Sequence, residues 1–458
     1  MFLVRRFSFG LPLVLGLGIA AIGLPGGNHL SLGHLPLGMS VAQAQEDGGS
    51  GRRTRKVEAM SNKVLEKIQE VNALINPEDE EGNKKENFQP NYRGALATLN
   101  EVRQMEGLNS ADLTQLWNFY GYVYISMDDY PRAIQAYEQI LKIENADPRF
   151  QTTIMYNLAQ LYMATEEYQK TINMLDRWFK VSEGPSPQSY LLYGQAYYLL
   201  DNFRQARQPV EKAIDLAKER GEEIQESWYQ LIRHIYYELG EKQKALDIVE
   251  ILLEGWPKKI YWLQLSSMHG ELNNEKLQLS ALEAAYRNGY LTQTKELENL
   301  AQLYLYHGVP YKAAKVVQQG MKDGFVEKTE DNWELLSRGW LNAQEYSKSV
   351  EPLRQAATKS DDGELYMRLA QVYSQLDNPA KTVEAVEAAL RKGDLRNPDD
   401  AYVVKGMAEF ELDRLTDAKK SFQQAAKSKD SRKLAQNWIK YIDNEAKRRE
   451  EIRKFMEN

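Results

Sequence analysis

One residue pattern recurs nine times between residues 114 and 430, at intervals of 33 to 39 residues. Position 8 of the pattern is small in eight of the nine copies, and position 11 is aromatic in seven. Because one such repeat is too short to bury its own apolar faces, the periodicity predicts a row of units that pack on their neighbours. We number the copies as repeats 1 to 9, starting at residues 114, 152, 187, 226, 259, 294, 330, 363 and 399. The clearest copy places Trp117, Tyr120, Gly121, Tyr124, Tyr130, Ala133 and Tyr137 at positions 4, 7, 8, 11, 17, 20 and 24.

This spacing resembles the tetratricopeptide repeat (TPR), a helix-turn-helix unit of about 34 residues. The resemblance implies an all-α fold, a TPR-type helix-turn-helix solenoid wound as a right-handed superhelix. About nine TPR-like repeats would occupy residues 114–430. Residues 56–113 are expected to form a degenerate N-terminal helical unit with an acidic loop at 76–89, and residues 431–458 a C-terminal capping helix.

The N-terminus has the pattern of an export signal. Arg5 and Arg6 precede a 14-residue apolar stretch at 11–24, which is too short to span a bilayer comfortably. The small residues Ala42 and Ala44 then supply a cleavage pattern. We therefore expect residues 1–44 to be a signal peptide, residues 45–55 a flexible basic segment, and the protein to be periplasmic. An uncleaved leader that anchors the chain to the membrane is the alternative.

Composition excludes several classes of function. The chain has no Cys, and 58 Lys and Arg against 65 Asp and Glu leave a net charge of −7, which argues against a nucleic-acid partner. Outside the leader, the histidines are His234, His269 and His307, each in a different repeat, so no clustered metal site is expected. His269 occupies an aromatic core position. Common catalytic motifs are missing, and we expect neither an enzyme nor a cofactor.

Stacked helical repeats bind partners on the concave wall formed by their first helices. Positions 5, 9 and 12 should face that wall, with positions 9 and 12 pointing away from the partner helix and the next repeat. Gln occupies position 9 in four repeats, and an amide can both donate to and accept from the backbone of an extended peptide. Gln is also a common helix-forming residue on exposed faces, so a purely structural interpretation stays open. The predicted groove comprises Tyr122, Tyr156, Gln160, Gln195, Tyr198, Gln230, His234, Gln302, Arg338 and Gln371.

The nature of the partner is less constrained. TPR proteins that grip a C-terminal carboxylate use a clamp of Lys and Asn, and the residues Asn118, Tyr122, Tyr156 and Gln160 do not reproduce it. We expect a non-catalytic scaffold or adaptor whose protein partners lie in the cell envelope, with membrane association only through a partner or an uncleaved leader.

The overall layout is similar to that of periplasmic TPR proteins encoded with TonB, ExbB and ExbD systems of Gram-negative bacteria. That similarity implies an accessory of energised outer-membrane uptake. A TPR assembly factor for outer-membrane, cell-wall or polysaccharide export machinery is the alternative. A carbohydrate-binding role would use the many Tyr residues of the first helices, although most of these occupy core positions.

Overall fold

The computed structural model describes residues 58–76 and 88–457. Within these ranges the chain forms 21 α-helices and no β-strand. The helices are α1 Asn62–Ile75, α2 Tyr92–Arg103, α3 Ser110–Ser126, α4 Tyr130–Ile140, α5 Pro148–Ala164, α6 Tyr168–Phe179, α7 Pro187–Tyr198, α8 Phe203–Arg220, α9 Glu226–Glu238, α10 Lys242–Gly255, α11 Lys259–Glu271, α12 Glu275–Arg287, α13 Thr294–Tyr306, α14 Pro310–Asp323, α15 Glu330–Asn342, α16 Tyr346–Lys359, α17 Glu364–Gln375, α18 Pro379–Lys392, α19 Pro398–Glu411, α20 Leu415–Ala425 and α21 Arg432–Glu457. The leader, the basic segment and residues 77–87 of the acidic loop lie outside the described ranges.

The helices divide into two compact units, an N-terminal unit up to Trp256 and a C-terminal unit from Pro257. The N-terminal unit contains α1–α10 and the C-terminal unit α11–α21. Consecutive helices pair from α1 with α2 to α19 with α20, and α21 packs on α20. The prediction of an all-α fold of TPR-type helix pairs is confirmed.

Small residues at position 8 allow the two helices of a repeat to approach closely. A Cβ atom on Gly121 would collide with the ring of Tyr137, and one on Gly194 would collide with Val210. A Cβ on Gly406 would lie 2.9 Å from the ring of Phe422. Each obstacle is the residue at position 24 of the same repeat, so the two positions form the central contact of the helix pair.

The ring at position 11 lies between successive repeats, and in repeats 2 and 4 its hydroxyl group is hydrogen-bonded to a carboxylate. Tyr162 donates a hydrogen bond to Glu138 (2.6 Å), and Tyr236 donates one to Glu211 (2.9 Å). Each carboxylate belongs to the second helix of the preceding repeat. In repeats 2, 4, 6 and 7 a lysine eight residues after the ring stacks on it, as Lys170 does on Tyr162 at 5.3 Å. This arrangement keeps the phenol satisfied while its ring fills the junction between repeats.

A left-handed residue at position 15 makes the turn inside every repeat. Positive φ is favourable for Gly and tolerable for Asn and Asp, and seven of the nine repeats have one of these. Glu166 and Gln344 are the exceptions. The turn residues are Asp128, Glu166, Asp201, Gly240, Asn273, Gly308, Gln344, Asp377 and Asp413, with φ between 50° and 73°.

Two repeats replace the aromatic ring at position 11. In repeat 5, His269 is buried and its Nδ1 has no hydrogen-bond partner among the described residues. In repeat 9, buried Glu409 accepts a hydrogen bond of 2.6 Å from Ser421 and lies 3.6 Å from Lys405. Position 11 therefore accommodates Glu409 where Ser421 and Lys405 pair with it, and in repeat 5 it accommodates a buried imidazole whose Nδ1 is unpaired within the described ranges.

Candidate binding surface on the first helices

The first-helix face, defined by positions 5, 9 and 12 of each repeat, differs between the two units. Position 9 is half-buried in all four repeats of the N-terminal unit. In the C-terminal unit the side chain at position 9 is exposed in repeats 5 to 8, and only Met407 of repeat 9 is half-buried. The C-terminal unit therefore offers the more open surface.

The four position-9 glutamines share one property. Among the described residues, no side chain or backbone group makes a hydrogen bond to the amide of Gln160, Gln195, Gln302 or Gln371. Glutamines on second helices behave differently, since Gln243 donates to Asp247 and Gln319 to Asp323 within one helical turn. The unused amides thus coincide with the predicted groove.

Tyr198 and His234 come together at the junction of repeats 3 and 4. The Tyr198 hydroxyl lies 3.3 Å from His234 Nδ1, and the two rings meet edge-on at 5.5 Å. Phe203, at the start of α8, packs against both rings. The expectation that position 12 points away from the partner helix and the next repeat is wrong for Tyr198, because its long side chain reaches both.

His234 is half-buried on this face. Burial lowers the pKa of His234, and the Glu238 carboxylate, 3.6 Å from Nε2, opposes this effect. A neutral imidazole can accept the hydrogen bond from Tyr198 through Nδ1. Tyr198 and His234 therefore form a polar and aromatic patch, and Tyr198 lies one helical turn after Gln195 in α7.

The remaining predicted residues of the N-terminal unit are less available. Tyr156 packs on Trp178 with ring centroids 5.1 Å apart, and burial raises the pKa of Tyr156. Tyr122 packs against the buried core that is formed mainly by α1, α2 and α3. Gln230 donates a hydrogen bond to Glu226 at 3.1 Å. These three side chains contribute mainly to packing or to local pairing.

A cleft of about 840 Å³ opens on the first-helix face of the C-terminal unit between α13 and α15. It brings together two predicted residues, Gln302 and Arg338. Lys295 and Glu298 line the same cleft, and neither they nor Arg338 has an ion-pair or hydrogen-bond partner in the described part of the chain. The cleft therefore presents charges of both signs together with a free amide.

Further along this face, the charges are partly paired. Arg368 of α17 donates a 2.6 Å hydrogen bond to Glu334 of α15 and so links repeats 7 and 8. Gln371 lies one turn beyond Arg368 and is exposed. Sequence reasoning missed the contribution of Phe325, which lines the cleft from the loop between α14 and α15. The sequence signal for this contact was the five-residue turn before Thr329. Counting positions along helices assigns no role to loop residues, so Phe325 was not identified.

Neither a metal cluster nor a membrane-spanning helix occurs in the described residues. In residues 58–76 and 88–457, no group of three or more His, Asp or Glu side chains is arranged to hold a metal ion. No helix within these ranges combines the length and apolar character needed to cross a bilayer.

Comparison with known proteins identifies the repeat. Residues 114–147 and 187–220 match the family model described as tetratricopeptide repeat. These segments begin where repeats 1 and 3 begin in the sequence pattern. No curated protein matches the chain significantly.

Several solved structures resemble parts of the chain. The crystal structure of MamA has 15% identity and a TM-score of 0.32, and the match covers 38% of this chain and 94% of that one. The C-terminal part of a TPR repeat-containing protein from Cytophaga hutchinsonii has 16% identity and a TM-score of 0.32, over 54% and 98% of the two chains. The TPR2AB domain of yeast Sti1, in a complex with pHSP90, has 15% identity and a TM-score of 0.32, over 58% and 98%.

Proposed function

Because its repeats are of the tetratricopeptide type, we propose that this chain is a non-catalytic scaffold that holds a protein partner on its first-helix face. The observation that carries the proposal is the set of four unused amides at position 9. A half-buried or exposed amide with no partner in its own chain can pair with the backbone of a bound segment. Such pairing does not depend on the sequence of the ligand.

The cleft between α13 and α15 supports the same proposal with a different chemistry. Arg338 and Lys295 can pair with carboxylates, and Glu298 can pair with a basic side chain. A partner segment with charges of both signs would fit there. Because these groups are accessible to solvent, binding through them should weaken as salt is added.

Site-specific photo-crosslinking tests the location of the partner. A crosslinking amino acid at Gln302 should capture a specific protein, whereas one at Gln319 on the second helix α14 should not. Equal capture from both positions would contradict a site on the first-helix face.

Substitution of the amides tests their role. Replacing Gln302 and Gln371 by Ala removes hydrogen bonds worth about 0.5 to 1.5 kcal/mol each, which corresponds to a several-fold to hundredfold loss of affinity. Gln319→Ala with Gln355→Ala is the matched control, because these amides already bind Asp323 and Glu351 in their own helices. Unchanged partner recovery with both pairs would show that the position-9 amides are not used.

We further propose that the scaffold works in the periplasm as an accessory of TonB-dependent energy transduction or uptake. The leader pattern in residues 1–44 and the overall layout of the chain support this placement. Mass spectrometry of the protein from cell-envelope fractions should find an N-terminus at or close to Gln45. A protein with Met1 retained in the membrane fraction would favour the anchor, and crosslinks to export machinery alone would favour the assembly factor.

A further inference from the structure

The final helix, α21, extends beyond the repeats that it covers. Its first half packs through the buried residues Ala435 and Ile442. In residues 446–456 every side chain is exposed, and Arg449 pairs with Asp413 in the turn before α20. This exposed segment is about three helical turns long.

The exposed segment continues an apolar strip that begins in the packed part. Tyr441, Ile452 and Phe455 are 54%, 45% and 85% exposed. Together with half-buried Trp438 they follow the alternating spacing of three and four residues that is typical of a coiled-coil seam. The seam residues are Trp438, Tyr441, Glu445, Arg448, Ile452 and Phe455.

The middle layer of the strip is charged. Arg448 donates hydrogen bonds of 2.7 and 2.8 Å to Glu445, and Arg449 donates a further one of 2.7 Å. These bonds lower the pKa of Glu445 to about 2, so this carboxyl is ionised at neutral pH. A lipid surface would have to accept this ion pair between Tyr441 and Ile452, at a large desolvation cost.

We propose that α21 is a self-association surface whose occupant is the α21 of a second copy, antiparallel to the first. A two-fold axis between Ala446 and Lys447 sets Trp438 opposite Phe455 of the second copy, and Tyr441 opposite Ile452. The same axis sets Glu445 opposite Arg448. Apolar residues thus meet apolar residues and each charge meets its opposite, as a symmetric two-fold interface requires.

The matched strip runs over 18 residues from Trp438 to Phe455, or about 27 Å of helix. This is a small interface compared with standard protein–protein interfaces, which bury about 1,600 Å². We therefore expect a dimer that forms reversibly, with a dissociation constant on the order of micromolar. The proposal is independent of the first-helix face and of any partner that binds there.

Charge reversal tests the pairing. Light scattering of the purified chain should show a dimer at about 100 µM that dissociates on dilution, as expected for micromolar affinity. Glu445→Arg and Arg448→Glu should each weaken self-association at least about tenfold, because each substitution places two like-charged pairs in the interface. An equimolar mixture of the two variants should dimerise again, since the arginine introduced in one chain then faces the glutamate introduced in the other.

Two controls separate this interface from general surface effects. Lys447→Glu and Glu450→Arg alter side chains of the exposed segment that lie off the strip, and they should leave the mass unchanged. Circular dichroism should show the same helix content in all variants, because Lys447, Arg448 and Glu450 are exposed. Glu445 is only 14% exposed, but its hydrogen-bond partners among the described residues, Arg448 and Arg449, belong to the same helix.

The direction of the helices can be tested by crosslinking because the natural chain has no cysteine. A short thiol crosslinker should join Tyr441→Cys chains to Ile452→Cys chains, and should not join Tyr441→Cys chains to one another. In the antiparallel arrangement, two copies of position 441 lie about 16 Å apart along the axis. A monomer at all concentrations, a dimer insensitive to both charge reversals, or 441-to-441 crosslinks would overturn the proposal.

Discussion

The first-helix faces of the two units are built from the same three repeat positions, but their side chains differ in chemistry. In the N-terminal unit, none of the twelve residues at positions 5, 9 and 12 is an Asp, Glu, Lys or Arg, and long rings cover much of the surface. In the C-terminal unit, Glu298, Glu334 and Arg338 occupy these positions and a cleft opens beside them. A single repeat geometry can therefore support two surfaces with different salt dependence.

The difference extends to the rings between repeats. Trp340 at position 11 of repeat 7 is 1% exposed, with Lys348 over its ring at 5.1 Å. Tyr197 at the same position of repeat 3 is half-buried, and Gln205 takes the place of the stacking lysine. The junction at Trp340 is thus sealed more completely than the junction at Tyr197.

Truncation of these rings should have the largest effect. Trp340→Ala should lower the free energy of unfolding by about 3 to 5 kcal/mol, because it leaves a cavity in a closed junction. Tyr197→Ala should cost less, about 1 to 3 kcal/mol, because part of its surface already contacts water. Denaturant melts would check both values, and an equal loss would contradict the contrast between the two junctions.

Filling position 8 should have the next largest effect. Gly194→Leu should cost about 1 to 3 kcal/mol through overpacking against Val210. Backbone atoms of Ala206 and Val210 lie 3.2 Å from a Cβ at Gly194, whereas the atoms nearest to one at Gly406 belong to the Phe422 ring. Gly194→Ala should therefore destabilise the chain more than Gly406→Ala does in thermal melts. The opposite order would show that the backbone at Ala206 and Val210 can shift to accommodate the added methyl group.

Each unit has one exceptional turn residue, and replacing that residue with Gly should stabilise the folded chain. Glu166 and Gln344 have φ of 60° and 59°, where a side chain without local hydrogen bonding is unfavourable. Glu166→Gly and Gln344→Gly should each raise the free energy of unfolding by up to about 1 kcal/mol. The matched substitution Ser347→Gly, just inside helix α16, should lower it. Denaturant melts in which both turn variants lose stability would show that the native side chains are held by contacts of their own.

The smallest expected effect is on the pH dependence of stability, and it involves only the N-terminal unit. Since the pKa of His234 is lowered in the folded chain, the unfolded chain binds a proton more readily. The contribution of His234 to stability is therefore complete above the ordinary pKa of 6.5 and falls as the pH drops below it. Melts of His234→Gln should have a weaker slope between about pH 7 and 5. An unchanged slope would show that a group other than His234 causes the pH dependence of stability.

Some features of the site could be predicted and others could not. The recurrence of Gln at position 9 marked side chains that have no hydrogen-bond partner among the described residues. Position counting alone could not show that Tyr198 meets His234 across a repeat junction, or that Phe325 in a loop lines the cleft. Both contacts depend on side-chain length and loop path rather than on helical phase.

The sequence by itself determined the repeat, because each defining contact joins residues in one helix pair or in adjacent pairs. A small residue at position 8 and an apolar residue at position 24 are separated by only 16 residues, so their pairing recurs as a readable pattern. Tertiary structure decided which polar groups stay free. Whether Gln302, Arg338 or Glu298 finds a partner depends on the distances between side chains of neighbouring repeats, and these distances become fixed only when the helices pack.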